Sequence, residues 1–242
     1  MSFMKWKIIC DAYSDIGLRE TNEDAYTVWN KVINDENFAL FAVADGMGGL
    51  QNGEDASSIM ISDINRWARK LCYILSENGC INYEEELKDL LNGANQHVLS
   101  YGKKKQTVLG TTVTMLLFIK DNAYLAHVGD STACQINQSF ISILSEKHAA
   151  TLGNRHGLTS CIGVRPQINQ IQIKNIVFEA PAHFLIGSDG IFNLLDLNDR
   201  QTIDIITKSD NMLQSIKKIV QNVRIAGESD NATGILIKVE NE

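Results

Sequence analysis

The run Phe38-Ala39-Leu40-Phe41-Ala42-Val43-Ala44 is apolar at every position and ends in Asp45-Gly46. A strand with one wet face alternates apolar and polar residues, because successive side chains point to opposite sides. A strand that never alternates needs apolar cover on both faces, so it belongs at the centre of a layered structure. Its ending matters as much. A carboxylate followed by glycine sets an acid at the rim of a rigid sheet and lets another group approach closely.

Four further short acidic motifs are spread along the chain: Arg19-Glu20-Thr21-Asn22-Glu23-Asp24, Gly129-Asp130-Ser131, Ser188-Asp189-Gly190 and Ser229-Asp230-Asn231. Most sit where an apolar, strand-like run starts or stops. One such ending is a turn signal. Several together, with few basic residues beside them, read as a cluster of hard oxygen ligands for divalent cations.

The remaining pattern supplies the layers. Strands are expected at Lys5–Asp11, Ala25–Trp29, Thr111–Ile119, Ala123–Val128, Thr132–Ile136, Phe140–Leu144, Ile171–Val177, His183–Ile186 and Ala232–Val239, with a tight hairpin at Asp121-Asn122. Helical stripes run through Gly53–Leu75 and Tyr83–Leu99, the second capped by Asn82 with Glu85 three residues on. Asp199–Ile206 and Asn211–Ile225 are also helical, the last stopped near Gly227. Strands in runs with segregated helix pairs predict an α+β fold, a four-layer α-β-β-α sandwich of two antiparallel sheets. No linker or repeat interrupts residues 1–242, which are read as one domain.

Composition removes several function classes. A net charge of −7 argues against a nucleic-acid binder, and the Lys103-Lys104-Lys105 run is short enough for a solvated loop. No apolar stretch reaches membrane-span length, and Met1–Lys7 has no signal-peptide core, so the expected location is cytoplasmic with no membrane partner. Five scattered cysteines without CxxC spacing read as reduced thiols, mostly buried. Cys161 is followed too closely by Arg165 for the Cys-x5-Arg phosphate cradle of a cysteine phosphatase. The isolated histidines speak against a zinc site, and His127 and His148 read as structural hydrogen-bonding residues.

Taken in order, Gly17-x-Arg19-x-x-Asn22-Glu23-Asp24, Ala44-Asp45-Gly46-Met47-Gly48-Gly49, Gly110-Thr111-Thr112, Ala126-His127-Val128-Gly129-Asp130-Ser131, a weak Leu144-Ser145-x-x-His148, a degenerate Leu158-Thr159-x-x-Ile162-Gly163, Ser188-Asp189-Gly190 and Asp230-Asn231-Ala232-Thr233 resemble the metal-dependent type 2C protein serine/threonine phosphatases of compact bacterial type. The resemblance covers nearly the whole chain. It implies hydrolysis of phosphoserine and phosphothreonine by a water or hydroxide shared between two Mn²⁺ or Mg²⁺ ions, a monomer, and phosphoprotein partners made by a cognate Ser/Thr kinase. Asp45 would bridge the ions, Gly46 would offer its carbonyl, and Asp189 and Asp230 would complete the set. Glu23 would act largely through metal-bound water with Asp24 holding the water network, Asp130 would bind a weaker third ion with Asp189, Arg19 would grip the substrate phosphate, and Asn231 would orient its neighbour rather than the substrate. A regulatory pseudophosphatase that binds phosphoproteins without turnover is the alternative.

Two departures from that family stand out. Met47 occupies a position where many members carry a histidine proposed as general acid, and the stretch from His148 to Leu158 is short for the flap expected there.

Overall fold

The computed structural model describes residues 6–47, 52–77, 79–138, 140–152 and 155–242. In chain order the elements are β1 (Trp6–Asp15), β2 (Asp24–Ile33), β3 (Glu36–Asp45), α1 (Gly53–Ser76), α2 (Tyr83–Lys105), β4 (Val113–Ile119), β5 (Asn122–Val128), β6 (Thr132–Ile136), β7 (Ile141–Ile143), β8 (Ala149–Leu152), β9 (Arg155–Leu158), β10 (Gln172–Ile176), β11 (Ala182–Gly187), α3 (Asp189–Phe192), α4 (Arg200–Thr207), α5 (Met212–Ile225) and β12 (Ala232–Asn241). One antiparallel sheet has the order β1-β12-β11-β6-β7, the other β10-β5-β4-β3-β2, and β8-β9 form a separate hairpin.

The uniformly apolar strand is covered as its pattern requires. Phe38, Leu40, Ala42 and Ala44 of β3 pack under α1 and α2 with Met60, Ile64, Leu87 and Leu91. The alternate residues Ala39, Phe41 and Val43 face the other sheet, where they meet Phe118, Phe184, Ile235 and Ile237. The outer face of that second sheet is closed by α3, α4 and α5, through Leu185 and Leu236 against Ile191, Ile206, Ile216 and Val220. Three apolar layers thus separate four structural layers, the expected α-β-β-α sandwich.

Caps and turns follow local chemistry. The side chain of Asn82 accepts from the Glu85 amide at the start of α2, Asp199 caps α4 and Asn211 caps α5. Asn34 and Asp35, both with positive φ, form the two-residue turn between β2 and β3, a backbone that suits the twist of paired strands. The β4–β5 turn lies one residue earlier than its sequence suggests. Ile119 pairs with Asn122, so Lys120 and Asp121 make the turn, and Lys120 takes the positive φ.

The segment after His148, where the sequence pattern predicts no strand, contains the β8–β9 hairpin. All five cysteines are free thiols, but only Cys134 is fully buried and Cys80 is exposed. The expected burial of most of them is therefore not met. Among the described residues no helix is long and apolar enough to cross a membrane.

Candidate active site

Antiparallel pairing delivers the acidic motifs to one end of the sandwich. Asp24 opens β2 directly opposite Asp45, which closes β3. In the other sheet Gly187 at the end of β11 pairs with Gly234 near the start of β12, so the flanking Asp189 and Asp230 come together. Asp130 lies in the short connection between β5 and β6. Arg19, Glu23, Asp45, Gly46, Met47, Thr112, Asp130, Leu158, Asp189 and Asp230 line one pocket of about 160 Å³. Asp24 is not in that lining; its carboxylate accepts from Ser188 Oγ at 2.7 Å.

Backbone contacts hold these residues in place. The Asp45 amide donates to Thr112 Oγ1 at 3.1 Å, and the Asp45 carbonyl accepts from the Thr112 amide at 2.8 Å and from Thr111 Oγ1 at 2.9 Å. Gly46 donates its amide to the Glu23 carbonyl at 3.0 Å, and a side chain there would collide with the backbone of Gly53 and of Glu23. Gly190 packs equally closely on the Asn231 carbonyl, which keeps the loops of Asp189 and Asp230 adjacent.

Asn231 is the tie for the first motif. Its Oδ1 accepts from the Glu23 amide at 2.9 Å, while its Nδ2 donates to the carbonyls of Ile16 at 2.9 Å and Thr21 at 3.1 Å. The loop bearing Arg19 and Glu23 is thereby fixed beside Asp230.

The electrostatics are those of an under-compensated acidic cluster. Burial, reinforced by Asp24, Asp189, Asp130 and Asp230, pushes the Asp45 carboxyl well above its ordinary range. Burial also pushes Asp24 up to about 6, against the hydrogen bonds from Ser188 and Thr233. Asp189 is pushed up to about 6 by burial, then by Asp130 and Asp230. Burial raises Asp130, although Lys147 opposes it, and burial followed by the neighbouring Glu54 raises Glu23. Among the described lining residues Arg19 is the cation, and its Nη2 donates to Asp230 Oδ2 at 2.7 Å.

Buried carboxylates that repel one another call for a cation. The donor set, carboxylates plus the Gly46 carbonyl, is all hard oxygen and fits Mg²⁺ or Mn²⁺. Among the described residues no three acidic, histidine or cysteine side chains already converge to hold a metal ion. Asp230 is turned toward Arg19 instead.

The structure therefore brings together Arg19, Glu23, Asp45, Gly46, Asp130, Asp189 and Asp230, and sets Asp24 behind them. Gly48 and Gly49 lie outside the described residues. His127 is fully buried, with Nδ1 2.8 Å from Thr114 Oγ1 and Nε2 near the carbonyls of Gly129 and Glu146. His148 Nδ1 accepts from the Gly129 amide at 3.2 Å. Both are structural, as expected.

Glu54, whose charge acts on Glu23, carried no sequence signal, while Thr112 was legible only as part of Gly110-Thr111-Thr112 and Leu158 only as the start of the degenerate Leu158-Thr159-x-x-Ile162-Gly163. A larger depression of about 540 Å³ between α1 and α2, lined by residues such as Asp63, Trp67 and His97, shares no residue with this pocket. Size does not pick out the chemistry here.

A sequence model described as Protein phosphatase 2C matches residues 13–226. The chain is 24% identical to the protein phosphatase PhpP of Streptococcus pneumoniae, over 95% of this chain and 96% of the relative. It is 22% identical to the serine/threonine phosphatase stp of Listeria welshimeri, over 91% of each. Among solved structures, the serine/threonine phosphatase of S. agalactiae superposes with a TM-score of 0.78 at 21% identity, covering 98% of this chain and 100% of that one.

Proposed function

The chain belongs to the protein phosphatase 2C family, and from that premise we propose that it removes phosphate from phosphoserine and phosphothreonine in proteins. The observation that carries this reading is the ring of Asp45, Asp130, Asp189, Asp230 and Glu23 in one pocket with Arg19. Asp45, the Gly46 carbonyl, Asp189 and Asp230 would hold two divalent cations, with Glu23 and Asp24 acting through water and Asp130 serving a weaker third ion. Such ions neutralise phosphoryl oxygens and supply a nucleophilic water at neutral pH.

The chain's own groups do the rest. Arg19 exchanges Asp230 for the substrate phosphate, a charge-assisted pair whose planar fork orients the ester. Thr111 and Thr112 grip the backbone of Asp45 on both sides, so its carboxylate is held with little freedom. Ser188 fixes Asp24 against the back of the site. Met47 lines the pocket but carries no proton to give, so protonation of the leaving oxygen falls to another group. Substrates are phosphoproteins made by a Ser/Thr kinase in the cytoplasm, and a single domain with a shortened flap works as a monomer.

The test is hydrolysis of a phosphothreonine peptide with Mn²⁺, with EDTA, and by Asp45→Asn. We expect Mn²⁺-dependent turnover that falls at least roughly a hundredfold in the variant. Binding of phosphopeptide without turnover at any Mn²⁺ concentration would favour the pseudophosphatase instead. Full activity of Asp45→Asn would remove Asp45 from the metal site.

A further inference from the structure

The pocket that holds the carboxylates does not end at its own wall. Leu158 lines it and also lines a second pocket of about 90 Å³ whose other residues include Cys161, Val164 and Arg165. Val164 in turn lines a third pocket of about 300 Å³ at the C-terminal end of α2, with Leu99, Lys103 and Val108. The three pockets are therefore neighbours in series, a track in which the first adjoins the second at Leu158 and the second adjoins the third at Val164.

The track changes character along its length. The first pocket is ringed by carboxylates, but among the described residues no Asp or Glu lines the second or the third. Arg165 and Lys103 line them, and Lys104 and Lys105 follow on the exposed end of α2. On a chain with a net charge of −7, a carboxylate-free stretch carrying two cations is a local reversal of sign. Apolar Leu99, Val108 and Val164 line the third pocket beside Lys103, and Val108 is 52% exposed.

The floor is built rather than loose. Asn95, buried in α2, donates through Nδ2 to the carbonyls of Arg165 at 3.0 Å and Pro166 at 3.3 Å, and its Oδ1 accepts from the Gly163 amide at 2.7 Å. Gln96 Nε2 adds a bond to the Pro166 carbonyl at 2.6 Å. At the other end, Ile162 exchanges backbone hydrogen bonds with Thr111, the residue that holds Asp45. Floor and catalytic rim are thus joined by two backbone hydrogen bonds.

Resting on the phosphatase reading above, we propose that this track is the seat of the substrate polypeptide. Acidic residues on one side of the phosphorylated residue pair with Arg165 and Lys103, and an apolar residue settles among Leu99, Val108 and Val164. Continuity with the catalytic pocket points to the substrate rather than a separate ligand, and the sign of the track points to an acidic segment. Arg165 outweighs Lys103, because the carbonyls at the C-terminus of α2 already draw on the lysine charge.

The experiment compares phosphothreonine peptides of equal length that carry Asp, Ala or Lys at positions flanking the phosphoresidue. Readouts are kcat/KM at low salt and peptide affinity by fluorescence anisotropy, for the unaltered protein, Arg165→Ala, Arg165→Glu and Lys103→Glu. Exposed pairs are individually weak and screened by salt, so a preference for acidic over lysine peptides of roughly threefold to tenfold is expected, declining as salt rises. Arg165→Glu should invert that preference, Arg165→Ala should flatten it, and Lys103→Glu should shift it less. All variants should hydrolyse p-nitrophenyl phosphate, which does not reach the track, at the unaltered rate. Equal kcat/KM for the three peptides, with p-nitrophenyl phosphate still turned over, would overturn the track and leave the phosphatase reading intact. Loss of all turnover would fall on that reading, and the affinity ranking would still decide the track.

Discussion

Ser188 Oγ donates to Asp24 Oδ2 at 2.7 Å and accepts from the Thr233 amide at 3.0 Å, so one hydroxyl joins the first strand of one sheet to the last strand of the other. The serine is fully buried. It therefore links the backbone of β12, which follows Asp230, to the acid that lies opposite Asp45.

Ser188→Ala removes the donor and leaves Asp24 and the Thr233 amide short of a partner. A buried group stripped of its hydrogen bond costs about 1–3 kcal/mol. The expected outcome is a lower denaturation midpoint in urea with an unchanged m-value, together with a higher Mn²⁺ requirement for turnover. Unaltered stability and Mn²⁺ dependence would show that the bond is incidental.

The acidic ring also sets the pH behaviour of the protein in EDTA. Asp24 and Asp189, both pushed up to about 6, bind protons more tightly folded than unfolded, where their ordinary value is 3.8. Stability contributed by the protonated folded state is thus full below about pH 4 and is lost as pH rises through about 6. Metal-free protein should be less stable at pH 7.5 than at pH 5.5 on this account, by about 1–2 kcal/mol. Mn²⁺ should restore stability at pH 7.5, since an ion that binds only the folded state stabilises it. Thermal melts at both pH values, with EDTA and with Mn²⁺, check the sign.

The two ends of this ring were differently legible in the sequence. The acids themselves could be read because most end or precede an apolar run, and β3 could be placed centrally because its pattern never alternates. The pairing could not. β1 lies beside β12, which joins Asp15 to Ala232 across almost the entire chain, and nothing local encodes such a partner. The β8–β9 hairpin has four residues a side, too few for periodicity to register. Asn231 read as a residue that orients its neighbour. Its amide does donate to Asp230 Oδ1 at 2.8 Å, but its side chain spends itself on the Ile16–Glu23 loop, a contact visible only in three dimensions.

His127 gives a pH effect of the opposite sign. Burial, then the neighbouring His148 ring, holds its pKa down to about 4, against an ordinary 6.5. The unfolded chain therefore takes up a proton in that interval and the folded one does not. The contribution of His127 is full above about pH 6.5 and is lost as pH falls toward 4. His127→Gln, which stays neutral, should be less stable at pH 7 but should lose less on acidification. Urea titrations at pH 7 and pH 5 of the variant and the unaltered protein compare the two slopes. Parallel slopes would place the acid sensitivity elsewhere.

The last prediction turns on the ion pair between Arg19 and Asp230. The two groups are 2.7 Å apart, yet the side chains are 52% and 33% exposed. Exposed pairs of this kind contribute about 0–1 kcal/mol, so the contact is cheap to open. A phosphate dianion offers the guanidinium more charge and two oxygens in its own plane, and should displace Asp230. Arg19→Ala should accordingly leave the melting temperature within a few degrees, while raising KM for a phosphothreonine peptide by about tenfold or more. Arg19→Lys should recover part of the loss, because it keeps the charge but not the fork. Inhibition by inorganic phosphate should weaken in parallel with KM, since both report the ground-state contact. An unchanged KM with a collapsed kcat would instead place Arg19 in stabilisation of the transition state.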